Sequence, residues 1–344
     1  MLFSASPTRT AEGRPLLYYA ACCQTDHAHP RHRDEMEGVT TRLIEQLENT
    51  VVGYQPFHDV RLVVFPEFAH AGPIYETVEE LVEKLAVEIP NPHTDRLAKV
   101  AQKHKVWIQS GSFLEVDPRW PDALFNTTVL ISPEGEILTR YRKVNPWIPW
   151  EVHTSPHDIP GYDEPLFPVA DTEIGKLGVA TCYDWLFPET CRELTLGGAE
   201  VLIRISAYMD PWGATEPLDW WTLINRSRAV ENLAAVVACN QGASADHYPP
   251  FSWPGASMIV DMDGRVMTQA AAGPGQASVV GPVALGQLRE ERRRRQGHSM
   301  PVHLRTEAYP LQRETRYPGN PEAKQRQIRA LNDSIRSAKE EQGW

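Results

Sequence analysis

The chain predicts a single α/β domain built on a mixed sheet with helices outside it, and three observations carry that reading. Short apolar runs alternate with segments whose apolar residues recur at helical spacing. Two turn signals, Ser132-Pro133-Glu134-Gly135-Glu136 and Asp261-Met262-Asp263-Gly264, close hairpins and so set antiparallel strands among strands joined by helices. No linker, internal repeat or low-complexity stretch divides the sequence.

In chain order, residues 16–22 read as a strand, 34–50 as a helix and 61–65 as a strand. Helices over 77–87 and 94–105 follow, the second with Thr94 as its N-cap. Strands are expected at 106–113 and 126–131, the latter turning at Gly135 into 137–142. The apolar, glycine-containing run 176–181 is a buried strand that opens at Cys182. Helix 188–196, strand 200–205, helix 216–235, strand 236–240 and the second hairpin complete the domain, assigned to 15–284. Residues 1–14 lack an apolar stretch with a cleavage site and read as a disordered leader. Residues 285–344, polar and with a helical stretch over 321–341, read as a C-terminal helical arm at an oligomer interface, where Leu304, Tyr309 and Trp344 give it something to bury. Within it, Arg292 to Arg295 and the acids among them read as a solvated helix face.

Composition narrows the class. No apolar run approaches the roughly 20 residues a membrane helix needs, and a net charge of -11 argues against a nucleic-acid surface. Five cysteines, an odd number that includes the adjacent pair Cys22-Cys23, suggest no disulfide framework. A reducing, cytoplasmic setting is therefore expected.

The chemistry sits where strands end. Cys182 follows the run 176–181 and precedes a turn and a helix, which is where a sulfur meets a helix N-terminus and becomes a nucleophile. Glu67, in Phe65-Pro66-Glu67, closes an apolar strand, where a partly buried acid is suited to proton transfer. Lys143 ends the strand that carries Tyr141-Arg142-Lys143. Each has a plainer reading taken singly: a buried structural thiol, a solvated loop acid and a snorkelling surface lysine. Their order, each at a strand end, is harder to explain that way. The run His27-Ala28-His29-Pro30-Arg31-His32 reads as a surface loop, since Pro30 breaks a regular ligand geometry. Cys191 and Cys239 read as packed, and Cys22 and Cys23 as opposite faces of one strand.

Phe65-Pro66-Glu67, Tyr141-Arg142-Lys143 and Cys182-Tyr183-Asp184 with Pro188-Glu189 resemble the three signatures of the nitrilase superfamily of carbon-nitrogen hydrolases. Asn240-Gln241-Gly242 and the stretch from Gly255 to Gly264 extend the match. The segments Pro146-Trp147-Ile148-Pro149-Trp150-Glu151 and Val201-Leu202-Ile203-Arg204 with Tyr208-Met209 are most similar to the aliphatic amidase and formamidase branch. The resemblance implies a four-layer αββα sandwich and a dimer or higher homo-oligomer. It also implies a cysteine hydrolase that needs no metal or organic cofactor and takes a small amide or nitrile. Carried over residue by residue, Cys182 is the nucleophile, Glu67 the general base, and Lys143 with the backbone N–H of Tyr183 the oxyanion stabilisers. Glu151 is the second carboxylate of the branch, orienting substrate and attacking groups. Phe68, Trp147, Tyr208 and Trp185 are expected to line the pocket, with His70 reaching it from the loop after Glu67.

The chain departs from the branch after Glu151 and in having Tyr183-Asp184-Trp185 after the cysteine, both beside the acyl pocket. The insert 210–217, with Trp220 and Trp221 behind it, is expected to set acyl size. Amide hydrolysis is the leading reading. Nitrile hydrolysis and N-carbamoyl amide hydrolysis are the alternatives, the nitrile branch typically placing Trp-Glu after its nucleophile. A non-catalytic scaffold would leave all three catalytic residue types without a purpose, and a papain-like Cys-His enzyme would leave Glu67 and Lys143 without one.

Overall fold

The computed structural model describes residues 9–11, 13, 15–147, 151–243, 252–273, 275–314 and 339. The helical stretch expected over 321–341 lies outside them, Lys339 excepted. Among the described residues, twelve strands pair into two six-stranded sheets. The first contains β1 (Tyr18–Gln24), β2 (Val60–Val64), β3 (Trp107–Glu115), β4 (Phe125–Ile131), β5 (Ile137–Arg142) and β12 (Ala277–Val283), in the order β12-β1-β2-β3-β4-β5. The second contains β6 (Val169–Thr172), β7 (Gly175–Thr181), β8 (Val201–Ser206), β9 (Ala235–Asn240), β10 (Met258–Val260) and β11 (Val266–Gln269), in the order β11-β10-β9-β8-β7-β6.

Each sheet has a parallel centre and antiparallel edges. Helical crossovers force the parallel pairs. Helix α1 (Met36–Tyr54) joins β1 to β2, and α2 (Val78–Lys84) and α3 (Pro92–His104) join β2 to β3. In the second sheet α4 (Pro188–Leu196) and α5 (Trp220–Asn232) join β7, β8 and β9. The hairpins expected around Gly135 and Gly264 supply antiparallel partners.

The alternation of side chains along β1 shows the layering. Ala20 and Cys22 pack with Leu62, Val64, Val179 and Ile203 between the sheets. Ala21 and Cys23 pack with Leu43, Leu47 and Leu97 under α1 and α3. With α4 and α5 on the far face, the layers are α, β, β and α, so the single mixed sheet read from periodicity is in fact two sheets face to face. Among the described residues no helix is long and apolar enough to cross a membrane.

Several boundaries move for identifiable reasons. Helix α3 begins at Pro92, and its cap is Asn91, whose side chain accepts from the N–H groups of His93 and Thr94; Thr94 instead closes the capping box. Helix α5 starts at Trp220 with Asp219 as its cap, and ends at Asn232 where Leu233 turns left-handed. His27 is buried against Trp253, correcting the surface-loop reading. The arginine run splits along α6 (Leu285–Arg294): Arg293 and Arg294 face solvent, while Arg292 donates to the carbonyls of Leu233 and Ala199, and Arg295 pairs with Asp263. Helix α7 (Met300–His303) follows.

Candidate active site

Glu67 lies just past the end of β2 and is wholly buried. A buried carboxylate must have its oxygens satisfied, and here they are. Oε1 accepts from Lys143 Nζ at 2.8 Å and from Asn126 Nδ2 at 2.9 Å, and Oε2 accepts from the N–H of Ala207 at 2.9 Å. Gln241 Nε2 donates to the Glu67 carbonyl at 2.8 Å. Ala207 follows β8 and Gln241 follows β9, so the second sheet fixes an acid carried by the first.

Lys143 follows β5, and its N–H donates to the Asn126 carbonyl of neighbouring β4. Its ammonium reaches a second carboxylate, Glu151 Oε1, at 2.7 Å. Glu151 Oε2 accepts from the N–H of Trp147 at 2.8 Å, which closes the loop back toward the lysine. Burial alone would lower the lysine pKa, but the Glu151 and Glu67 carboxylates lift it above the ordinary range. Burial likewise pushes against the Glu151 charge, and Lys143 overcomes it, holding that carboxyl below its usual value.

Cys182 follows β7 and heads a 3-10 turn, Cys182–Leu186, rather than an α-helix; α4 begins only at Pro188. Its φ is +48°, a left-handed conformation. Phe68, immediately after Glu67, has φ +57°. Burial and then the Glu67 charge push the Cys182 thiol up to about 12, with Lys143 pulling the other way. Both upward influences favour the protonated thiol over the thiolate. Asp184, two residues on, accepts from Thr181 N–H, Tyr141 hydroxyl, Asn145 N–H and Asn145 Nδ2 at 2.7–3.0 Å. Burial raises this carboxyl to about 6 although Lys143 and those donors oppose it.

The expected pocket residues separate. Phe68 stacks on His153 at 5.9 Å, and His153 Nδ1 is 3.8 Å from Glu151 Oε2. Tyr208 stacks on Trp221, and its phenol is held up to about 12 mainly by burial, with the Cys182 sulfur adding to the rise. Trp147 meets Glu151 through both of its backbone groups. Tyr183 is half-buried, edge-on to Phe187. Trp185 is a correction. It is wholly enclosed, with its indole N–H donating to the Ala180 carbonyl, and so is core rather than pocket wall. His70 is another, turned into the core where it stacks on Phe113 and donates to the Ser110 carbonyl.

Sequence reasoning missed Asn126, the Ala207 N–H, His153 and Arg204. Asn126 and Ala207 reach Glu67 from 59 and 140 residues away, and no local pattern marks such a contact. Gln241 had a signal in Asn240-Gln241-Gly242. The assembled groups offer a thiol to attack an electrophilic carbon, a carboxylate to move its proton and an ammonium to stabilise developing negative charge. Among the described residues no group of three or more His, Cys, Asp or Glu side chains is placed to hold a metal ion.

A family model described as carbon-nitrogen hydrolase matches residues 20–293. A formamidase of Bacillus cereus is 32% identical over 243 residues, covering 70% of this chain and 67% of the relative. A formamidase of Bacillus thuringiensis is 32% identical over 245 residues, with the same coverage. Among solved structures, a carbon-nitrogen hydrolase from Helicobacter pylori superposes with TM-score 0.69 at 21% identity, covering 87% of this chain and 99% of that one. A double mutant of the amidase from Nesterenkonia sp. AN1 in complex with acrylamide gives 0.63 at 17%, covering 90% and 100%. These structures share the fold.

Proposed function

This chain belongs to the carbon-nitrogen hydrolase family, and from that membership we propose that it is an amidase, converting a primary carboxamide to a carboxylic acid and ammonia through a thioester on Cys182. One observation carries the reading: Glu67 is held by Lys143 on one oxygen and by the Ala207 N–H on the other, and its charge acts on the Cys182 sulfur. The resemblance to formamidases and to an amidase solved with acrylamide supports the amide as substrate class.

The steps follow from what each group can do. Sγ attacks the amide carbon as its proton passes to Glu67, and the carbonyl oxygen becomes an oxyanion beside the Lys143 ammonium and the N–H of Tyr183. Collapse breaks the C–N bond, and Glu67 returns its proton to the departing nitrogen as ammonia forms. Water, deprotonated by Glu67, adds to the thioester; the C–S bond breaks and the thiol is restored. Glu151 keeps the ammonium in place and supplies the second negative charge that holds it protonated.

Tyr183-Asp184 after the cysteine, in place of Trp-Glu, favours the amide over the nitrile. Paired amides and nitriles with the same acyl group, assayed by ammonia release, test this directly: kcat/KM should be higher for the amide, and the reverse order overturns the reading. The exposed apolar residues Leu223 and Val230 on α5 support assembly as a dimer or higher oligomer, with the segment after residue 284 as the fastening arm. Light scattering that finds a stable monomer would overturn that. Five unpaired cysteines support a reducing compartment.

A further inference from the structure

Arg204 lies on β8 opposite Ala180 of β7, and the parallel register continues through Thr181 and Ile205. Cys182 leaves β7 directly after that register and meets the Ser206 side chain at the end of β8, and Arg204 shares a face of its strand with Ser206. The Arg204 side chain is wholly buried. Its guanidinium carbon is 4.3 Å from the ring centre of Trp221, 5.4 Å from Tyr208 and 5.5 Å from Trp185, which itself belongs to the turn headed by Cys182. Nη1 donates to Asn225 Oδ1 at 2.9 Å, while Nε and Nη2 have no hydrogen-bond partner among the described residues.

A buried cation without a carboxylate is costly, and the three rings offset only part of that cost. The titratable groups that act on it are Cys182, Tyr208, Cys191 and Arg228, with Cys182 foremost after burial; at the sulfur itself Glu67, Lys143 and Glu151 are the stronger influences, so the link from Arg204 rests on the strand register and the shared aromatic neighbours. Cys182 in turn faces Glu67, Lys143 and Glu151 from the other elements, with Asp184 in its own turn. The two carboxylates outweigh the single ammonium, so these groups oppose a thiolate unless a further positive charge stands on the sulfur's side.

We propose that Arg204 is a positioning residue acting through Cys182, its buried charge favouring the thiolate and so driving the proton from Sγ to Glu67. The inference rests on Cys182 being the nucleophile.

The test is alkylation of the full-length protein by iodoacetamide without substrate, followed against pH and mapped by mass spectrometry. Asn225→Asp places a carboxylate against the guanidinium with almost no change of volume, neutralising Arg204 where it stands. It should slow Cys182 alkylation about tenfold or more near neutral pH, equivalent to about one pKa unit. Arg204→Gln should do the same, and Arg204→Lys should restore most of the rate. If Asn225→Asp is alkylated at the wild-type rate throughout the pH range, the proposal is overturned, whether or not Arg204→Gln folds. If wild-type alkylation maps first to another cysteine, it is the nucleophile reading that fails.

Discussion

The Tyr141 hydroxyl donates to Asp184 Oδ2 at 2.7 Å, joining the strand that delivers Lys143 to the turn that Cys182 heads. The strands belong to different sheets, so lysine and sulfur are aligned by a carboxylate between layers. Tyr141→Phe removes one donor from a buried acceptor that keeps three others. It should cost about 1–2 kcal/mol of stability, read from the urea midpoint. A several-fold drop in kcat with little change in KM should accompany it. Unchanged kcat would show that the link fixes the fold and not the site.

Cys182 is 8% exposed, whereas Cys22, Cys23, Cys191 and Cys239 are at 0%. A small electrophile should therefore label Cys182 first, and Cys182→Ala should fold but lose turnover. Because burial raises the thiol to about 12, its proton is held through neutral pH and lost only as pH climbs toward that value. The thiolate absorbance near 240 nm, wild type minus Cys182→Ser, should be flat between about pH 6 and 9. A step in that window would place the resting sulfur as a thiolate and remove the need for Glu67 as base.

Glu67→Gln and Lys143→Ala should each lower kcat on the order of 10²-fold or more, as expected for losing a general base or an oxyanion contact. Glu151→Gln leaves Lys143 with one carboxylate and should also slow acylation, measured in a single turnover. A Lys143→Ala enzyme with near wild-type kcat would make the lysine structural.

Glu115→Gln tests stability apart from chemistry. Glu115 takes a bidentate pair from Arg142, whose guanidinium also meets Asp117 at 2.7 Å, all of it buried. Removing the charge takes the bidentate partner from an arginine that keeps Asp117 and Glu164, and should cost about 1.5–3 kcal/mol in denaturant unfolding. A loss below about 1 kcal/mol would mean that Asp117 and Glu164 hold the arginine unaided.

Glu67, Lys143 and Cys182 were legible because each ends an apolar strand, and strand ends leave a local trace. The partition into two sheets was not legible from periodicity, since β1 is buried on both faces and its alternation shows only once Cys22 and Cys23 are seen in different cores. Arg204 sits within an apolar run, yet nothing local announces that its neighbours among the described residues are three aromatic rings and no acid. Trp185 misled for the converse reason: closeness to Cys182 along the chain says nothing of which way a ring turns.

The left-handed backbone at Cys182 sets fitness against folding. Glycine adopts that conformation without steric cost, so Cys182→Gly should be at least as stable as Cys182→Ala while being just as inactive. A cell that inspects its proteins by how well they fold would retain such a variant at normal abundance. The inactive Cys182→Gly should therefore escape a screen that reads protein level, and be found only by one that reads product.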